Sequence, residues 1–321
     1  MSGPTVPKPG HKPGYKSGYK SGFVAIAGRP NTGKSTFLNK ILQRKVAIVT
    51  HKPQTTRTRI LGVHHQPGGQ VVFLDTPGIH APGASRLNRA MVATAREACR
   101  DVDIVLFFCD LPNGLTPDDL QILHSLPIGK APVFLVLNKT DRMEHGALLP
   151  VLKRVEEHAG RFAHVLPISA TKGDNLEQLL NQVLQTLPNG PPYFPDGVVS
   201  DQPETFIIAE IIREKFFLAL HQELPYVLGV RVETFAPRDN PPGLWDVGAV
   251  VLVERDSHKG IVIGKGGSLL KRVGTQARKE LEELLGIRIH LNLWVRVTMQ
   301  WRENSGLLRS MGYPDQWKTA D

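Results

Sequence analysis

The sequence predicts two consecutive domains: an α/β domain on a mostly parallel sheet with one antiparallel edge strand, then a smaller α+β domain. Three observations carry this reading. Short β-rich apolar runs alternate with helix-length segments from Phe23 onward, a Gly-rich turn separates the first run from the first helix, and a proline cluster at 190–195 precedes a change to the order α-β-β-α-α-β. At 321 residues the chain can bury two cores, and 41% hydrophobic with 21% charged residues is an ordinary globular composition. No apolar run approaches the roughly 18 residues that span a bilayer. The two cysteines, Cys99 and Cys109, have no metal or redox spacing, and a cytoplasmic location is expected.

Residues 1–22 carry four lysines and no acid among Gly, Pro and Ser, which predicts a flexible basic arm. The first domain is expected over 23–190, with strands at Phe23–Ala27, Val71–Leu74, Ile104–Phe108, Val133–Leu137 and Val165–Ile168. Ile60–His65 is separated from Val71–Leu74 by Pro67-Gly68-Gly69, a hairpin that makes it the antiparallel edge. Residues 191–200 read as a stiff linker and 201–321 as the second domain with a C-terminal tail. There a helix is expected over Phe206–Leu220, strands over Val227–Thr234 and Val247–Glu254, two helices joined at Gly264-Lys265-Gly266-Gly267, and a last strand over Ile287–Val297.

Gly28-Arg29-Pro30-Asn31-Thr32-Gly33-Lys34-Ser35 matches G-x-x-x-x-G-K-[ST] after a strand and before a helix beginning near Thr36. Such a turn points backbone N–H groups at phosphate oxygens, and the helix adds its positive end. Lys34 then neutralises the β/γ charge and the Ser35 hydroxyl is placed for Mg²⁺. At a neighbouring strand end, Asp75-Thr76-Pro77-Gly78 supplies a carboxylate for Mg²⁺ and a Gly78 N–H for the γ-phosphate. Asn138-Lys139-Thr140-Asp141 follows another strand. The Asp141 carboxylate accepts from guanine N1–H and the 2-amino group, which selects GTP over ATP. Ser169-Ala170 offers a backbone N–H to guanine O6. The polar stretch Lys52–Arg57 is placed as a switch loop, with Thr56 the expected Mg²⁺ ligand and Thr55 its substitute.

These motifs, in this order, resemble those of translation-factor-class GTPases. With Gln54-Thr55-Thr56-Arg57, the G-P-P-Y-F-P linker and the C-terminal region, residues 23–315 resemble the Era family of ribosome-assembly GTPases. The resemblance implies a P-loop GTPase with Lys34, Thr56, Gly78 and Asn31 in the catalytic set. Ras-like relatives have a water-orienting Gln where this chain has Ile79, so slow intrinsic hydrolysis is expected. Similarity also implies that Asn31 helps hold K⁺ beside the phosphates.

Ile261–Gly267 followed by a helix resembles the G-x-x-G turn of a KH domain, and the element order matches its type II arrangement. Residues 201–321 balance 16 bases against 16 acids, yet His258–Lys279 holds six bases and no acid. That concentration, with small residues that admit a nucleic-acid backbone, marks an RNA site at Lys259, Ile261, Ile263, Gly264, Lys265, Gly266, Gly267, Lys271 and Arg272. The resulting expectation is a GTP-binding and GTP-hydrolysing switch, using GTP and Mg²⁺, that binds single-stranded RNA. Resemblance adds the 3′ end of small-subunit ribosomal RNA and the small subunit as partners, and a role in its assembly and maturation. A monomer is expected. The rival readings are a peripheral membrane switch on the cytoplasmic face, using the basic arm, and a GTP-using RNA-modifying enzyme.

Overall fold

The computed structural model describes residues 18–79, 86–143, 148–240 and 242–313. The chain packs as two compact units. One takes the chain from its first strand to Ala47, from Thr56 into the loop after the third strand, and from Arg89 to Asp201. The other takes Ile48–Thr55, a short stretch ending at Asn88, and the chain from Gln202 onward.

The first unit contains a six-stranded sheet ordered β2-β3-β1-β4-β5-β6, with strands β1 (Lys20–Gly28), β2 (Ile60–Gln66), β3 (Gly69–Asp75), β4 (Ile104–Asp110), β5 (Val133–Asn138) and β6 (His164–Ile168). Only β2 pairs antiparallel, with β3; the other neighbours are parallel. The near-continuous apolar runs follow from burial on both faces. Val24, Ile26, Leu106 and Phe108 join a core with helices α1 (Lys34–Leu42) and α5 (Leu176–Thr186). Ala25, Ala27, Val105 and Phe107 face a second core that includes residues of α2 (Arg86–Glu97), α3 (Pro117–Ser125) and α4 (Leu148–Glu156).

The expected arm over 1–22 is corrected at its end: β1 begins at Lys20, while residues 1–17 lie outside the described residues. Lys-Ser-Gly looks like linker, but Lys20, Ser21 and Gly22 pair in register with Gly69, Gln70 and Val71 of β3, and only glycine fits at 22, where a Cβ would stand 2.5 Å from Asp103 Oδ2 and 2.6 Å from the Leu187 side chain. The expected linker is also fastened. Gln70 Oε1 accepts from the Tyr193 and Phe194 N–H groups at 2.7 and 3.0 Å, and Tyr193 packs edge-on to Phe23.

The second unit is built on a three-stranded sheet, β7 (Gly229–Pro237), β8 (Leu244–Val253) and β9 (Arg288–Val297), with β8 antiparallel to β7 and parallel to β9. Helices α6 (Glu204–Ala219) and α9 (Ser268–Leu285) bury Ile208, Ile212, Phe216, Val273, Ala277 and Leu281 against Val247, Ala249, Val251 and Val253. A short helix α7 (Leu224–Val227) precedes β7, and α8 (Asp256–Ile263) leads into the glycine turn. The tail finds its partner within this unit. Trp301 is fully buried, donates from Nε1 to Val227 O at 2.9 Å and lies over Gly229, while the final helix α10 (Ser305–Ser310) buries Leu308.

Candidate nucleotide site and nucleic-acid interface

The first site gathers at the C-terminal ends of the parallel strands, where open α/β sheets place ligands. β1 delivers the phosphate loop. Gly28 has φ 137°, and a Cβ on it would meet Phe108 O at 2.3 Å; Gly33 has φ 94°, and its Cβ would meet Asn138 Nδ2 at 2.1 Å. Both glycines are therefore required by close approach and by conformation. Asn31, at φ 62°, turns the loop between them and is exposed. Lys34 is buried and its ammonium donates to Gly28 O at 3.1 Å and Arg29 O at 2.7 Å; burial pushes its pKa down to about 8.

The three residues expected at a metal come together. Ser35 Oγ donates to Asp75 Oδ2 at 2.7 Å and lies 2.9 Å from Thr56 Oγ1. Asp75 is fully buried, its Oδ1 has no hydrogen-bond partner among the described residues, and burial pushes its carboxyl up to about 6. A buried carboxylate oxygen without a donor, beside two hydroxyls, is a donor set that suits a hard, oxygen-seeking cation such as Mg²⁺. Thr55 is turned elsewhere: its hydroxyl lies 2.6 Å from Thr50 Oγ1 and 2.8 Å from Lys52 O. The Ile48–Thr55 stretch lies along α6, where the Val49 N–H donates to Glu214 Oε1 at 2.8 Å and the Arg213 guanidinium bonds Thr55 O. Thr76 bonds back to Ile26 O, and Gly78 sits where a Cβ would meet the Pro30 backbone at 2.6 Å. Ile79 is buried in the core, so its position offers the reaction no polar group.

The residues expected at the base are joined by hydrogen bonds. Asn138 Nδ2 donates to Thr32 O at 2.8 Å and its Oδ1 accepts from the Ala170 N–H at 2.9 Å. The Ala170 N–H expected at guanine O6 is thus also a tether for Asn138. Asp141 is exposed and accepts from Ser169 Oγ at 2.6 Å, which fixes the carboxylate's direction.

Two carboxylates that the motifs do not name support this site. Asp110, at the end of β4, receives Lys139 Nζ at 3.0 Å. Asp119, fully buried, receives Arg29 Nε at 2.7 Å while closing a capping box with Thr116 at the start of α3. Both left a trace in the sequence: Asp110 ends a strand as Asp75 does, and Thr116-Pro-Asp-Asp119 has capping-box spacing.

In the second unit the turn joining α8 to α9 places Gly264, Gly266 and Gly267 at φ 76°, 57° and 78°. No atom lies within 4 Å of where a Cβ would stand on Gly266 or Gly267, so a phosphate can approach this turn. Lys265, Lys271 and Arg272 are exposed. Gly267, Leu270, Lys271, Gly274, Thr275, Arg278, Leu291 and Leu293 line a cavity of about 340 Å³ between α9 and β9. Ile261 and Ile263, expected to wall a base groove, do not line it. Ile261 is 53% exposed, Val262 between them is in the core, and the apolar wall comes from Leu270, Leu291 and Leu293. The missed signal is the alternation in β9, where Ile289, Leu291, Leu293 and Val295 share one face.

Residues 23–139 match the family described as 50S ribosome-binding GTPase, and residues 223–302 match the KH domain family. GTPase Era of Geotalea daltonii is 49% identical over 293 residues, covering 91% of this chain and 97% of that protein. The chain belongs to the Era GTPase family. A second Era, from Geobacter metallireducens, is 48% identical over the same length. Two solved Era structures superpose with TM-scores of 0.88 at 38% identity, each covering 92% of this chain. One is a variant of Aquifex aeolicus Era bound to GDP and aluminium fluoride; the other holds Mg²⁺, GDPNP and nucleotides 1506–1542 of 16S ribosomal RNA. Membership of the Era family makes the first unit a GTPase domain and the second a KH domain.

Proposed function

We propose that this Era-family GTPase is a Mg²⁺-dependent, GTP-hydrolysing switch that binds the 3′-terminal region of small-subunit ribosomal RNA and acts in assembly of that subunit. The observation that supports the nucleotide half is the convergence of Ser35, Thr56 and Asp75 with the buried Lys34 beside Asp75, and Asp141, held by Ser169, is the residue we assign to guanine. Ser35, Thr56 and Asp75 would hold Mg²⁺, which would supply positive charge to the phosphates. Lys34 and the Gly78 N–H address the transferred phosphoryl group. With Ile79 withdrawn into the core, we assign to Asn31, on the exposed phosphate loop, the recruitment of K⁺ as a further positive charge.

The RNA half rests on the open turn at Gly264–Gly267 beside the basic-rimmed groove, and on the relative whose structure contains nucleotides 1506–1542 of 16S ribosomal RNA. Lys265, Gly266 and Gly267 meet phosphates, Lys271 and Arg278 flank the strand, and Leu291 with Leu293 contacts bases. Replacing Lys265 and Gly266 together by Asp puts two negative charges in the path of a polyanion. Titration of an RNA with that 3′-terminal sequence is expected to show affinity reduced at least tenfold with GTP binding retained. Unchanged RNA affinity in the folded double variant would remove the turn from the interface.

A further inference from the structure

The face of the KH sheet turned away from α6 and α9 carries an aromatic platform that the groove does not use. Trp294 is 51% exposed on β9. A Cβ on Gly248 would lie 3.1 Å from its ring, so one edge of the indole rests on glycine backbone of β8 while the rest is open. β9 is an edge strand in the three-stranded order, so a chain lying in the groove can pass round it. A cavity of about 500 Å³ marks that passage. It is lined by Val295 and Val297 on the groove side of β9, by Trp294 and Arg296 on the opposite side, by Glu233 and Val250 beyond them, and by Asp256 and Lys259 of α8.

The charges around the ring fit a polyanion. Glu233 is bridged by Arg231 and, at 3.5 Å, by Arg296, so its charge is answered twice over. The cavity lining itself balances Lys259 and Arg296 against Glu233 and Asp256, and Arg231, paired to Glu233 from outside the lining, brings the local count to three bases against two acids. An indole seated on glycine and rimmed by arginine is the arrangement on which unpaired bases stack without sequence preference. Lys259, expected at the turn, lines this second cavity.

We propose that Trp294 stacks on an unpaired base of the RNA that leaves the groove, with Arg296 and Lys259 meeting its phosphates, so that this KH domain holds more nucleotides than its groove alone. The inference rests on the RNA-binding reading above.

The test uses the full chain and two probes: the fragment spanning nucleotides 1506–1542 of 16S ribosomal RNA, and a set of tetranucleotides cut from it, about the length a KH groove clamps. Trp294→Leu keeps an apolar cover on Gly248 but removes the ring. It is expected to weaken the long fragment about tenfold, leaving tetranucleotide and GTP binding unchanged, and Trp294→Phe is expected to recover most of the loss. Arg296→Glu, at a position 56% exposed, should weaken the long fragment alone and keeps the proposal testable if the Leu variant misfolds. Wild-type affinity for the long fragment in both variants, while Lys265→Asp/Gly266→Asp loses it, overturns the platform and leaves the groove. Wild-type protein that binds neither probe overturns both. Variants that lose intact small subunits but keep naked RNA would assign the face to a protein and overturn the proposal.

Discussion

At Asp141 and Asn31 the roles expected in the nucleotide site can each be tested by changing one side chain. Asp141 is held by Ser169 Oγ at 2.6 Å with its second oxygen left for the base. An Asn there presents an N–H where guanine presents its 2-amino group, and xanthine's 2-carbonyl would accept it. Asp141→Asn is therefore expected to lower GTP affinity between about ten- and a hundredfold and to raise XTP affinity, measured by competition titration. Asn31 stands exposed in the left-handed region on the phosphate loop. If it recruits K⁺, hydrolysis should run several-fold faster in potassium than in sodium at equal ionic strength, and Asn31→Ala should abolish the difference. Equal single-turnover rates in the two salts for the folded wild type would rule out that role.

Among the elements, glycines separate packing from backbone freedom. At the start of β7, a Cβ on Gly229 would stand 2.9 Å from the buried Trp301 ring, whereas Gly260 within α8 has nothing within 4 Å. Gly229→Ala is expected to cost about 1–3 kcal/mol by overpacking, and Gly260→Ala to stabilise by roughly 0.5–1 kcal/mol through helix propensity; denaturant melts of the two variants check the opposite signs. The same elements show what sequence can carry. Five strands of the first sheet were legible because each contains an uninterrupted apolar run, β2 because a Pro-Gly-Gly turn joins it to β3, and the phosphate loop because its eight residues are contiguous. The start of β1 was not, since Lys20–Gly22 has linker composition and becomes strand only by pairing with Gly69–Val71 of β3. Asp110, Asp119, Leu291 and Leu293 were missed for a related reason. Local spacing marks Asp119 as a cap and Leu291 with Leu293 as one face of a strand, but their site contacts, like Asp110 with Lys139, are to elements that only the tertiary fold brings near.

Across the whole molecule, the charge balance bears on how RNA binding should respond to salt. The chain carries +9, but residues 201–321 sum to zero, so the RNA-binding domain depends on the cluster between His258 and Lys279. Three or four phosphate contacts from that cluster predict a slope of log K against log salt of roughly −2 to −3 for a single strand; a slope near zero in a salt series would return the cluster to solvent. In the first domain, one amide bonds two loops at once. Asn138 holds the phosphate loop through Thr32 O and the loop after β6 through the Ala170 N–H. If Asn138 and Asp141 take the base contacts expected of them, a change at Asn138 would disturb phosphate binding along with base choice, and its close approach to Gly33 leaves little room for compensation. The Asp141 carboxylate is tied to Ser169 instead. In a lineage under pressure to adopt another nucleotide, drift in specificity would then run through Asp141 rather than Asn138, giving the two halves of one short motif different freedom to evolve.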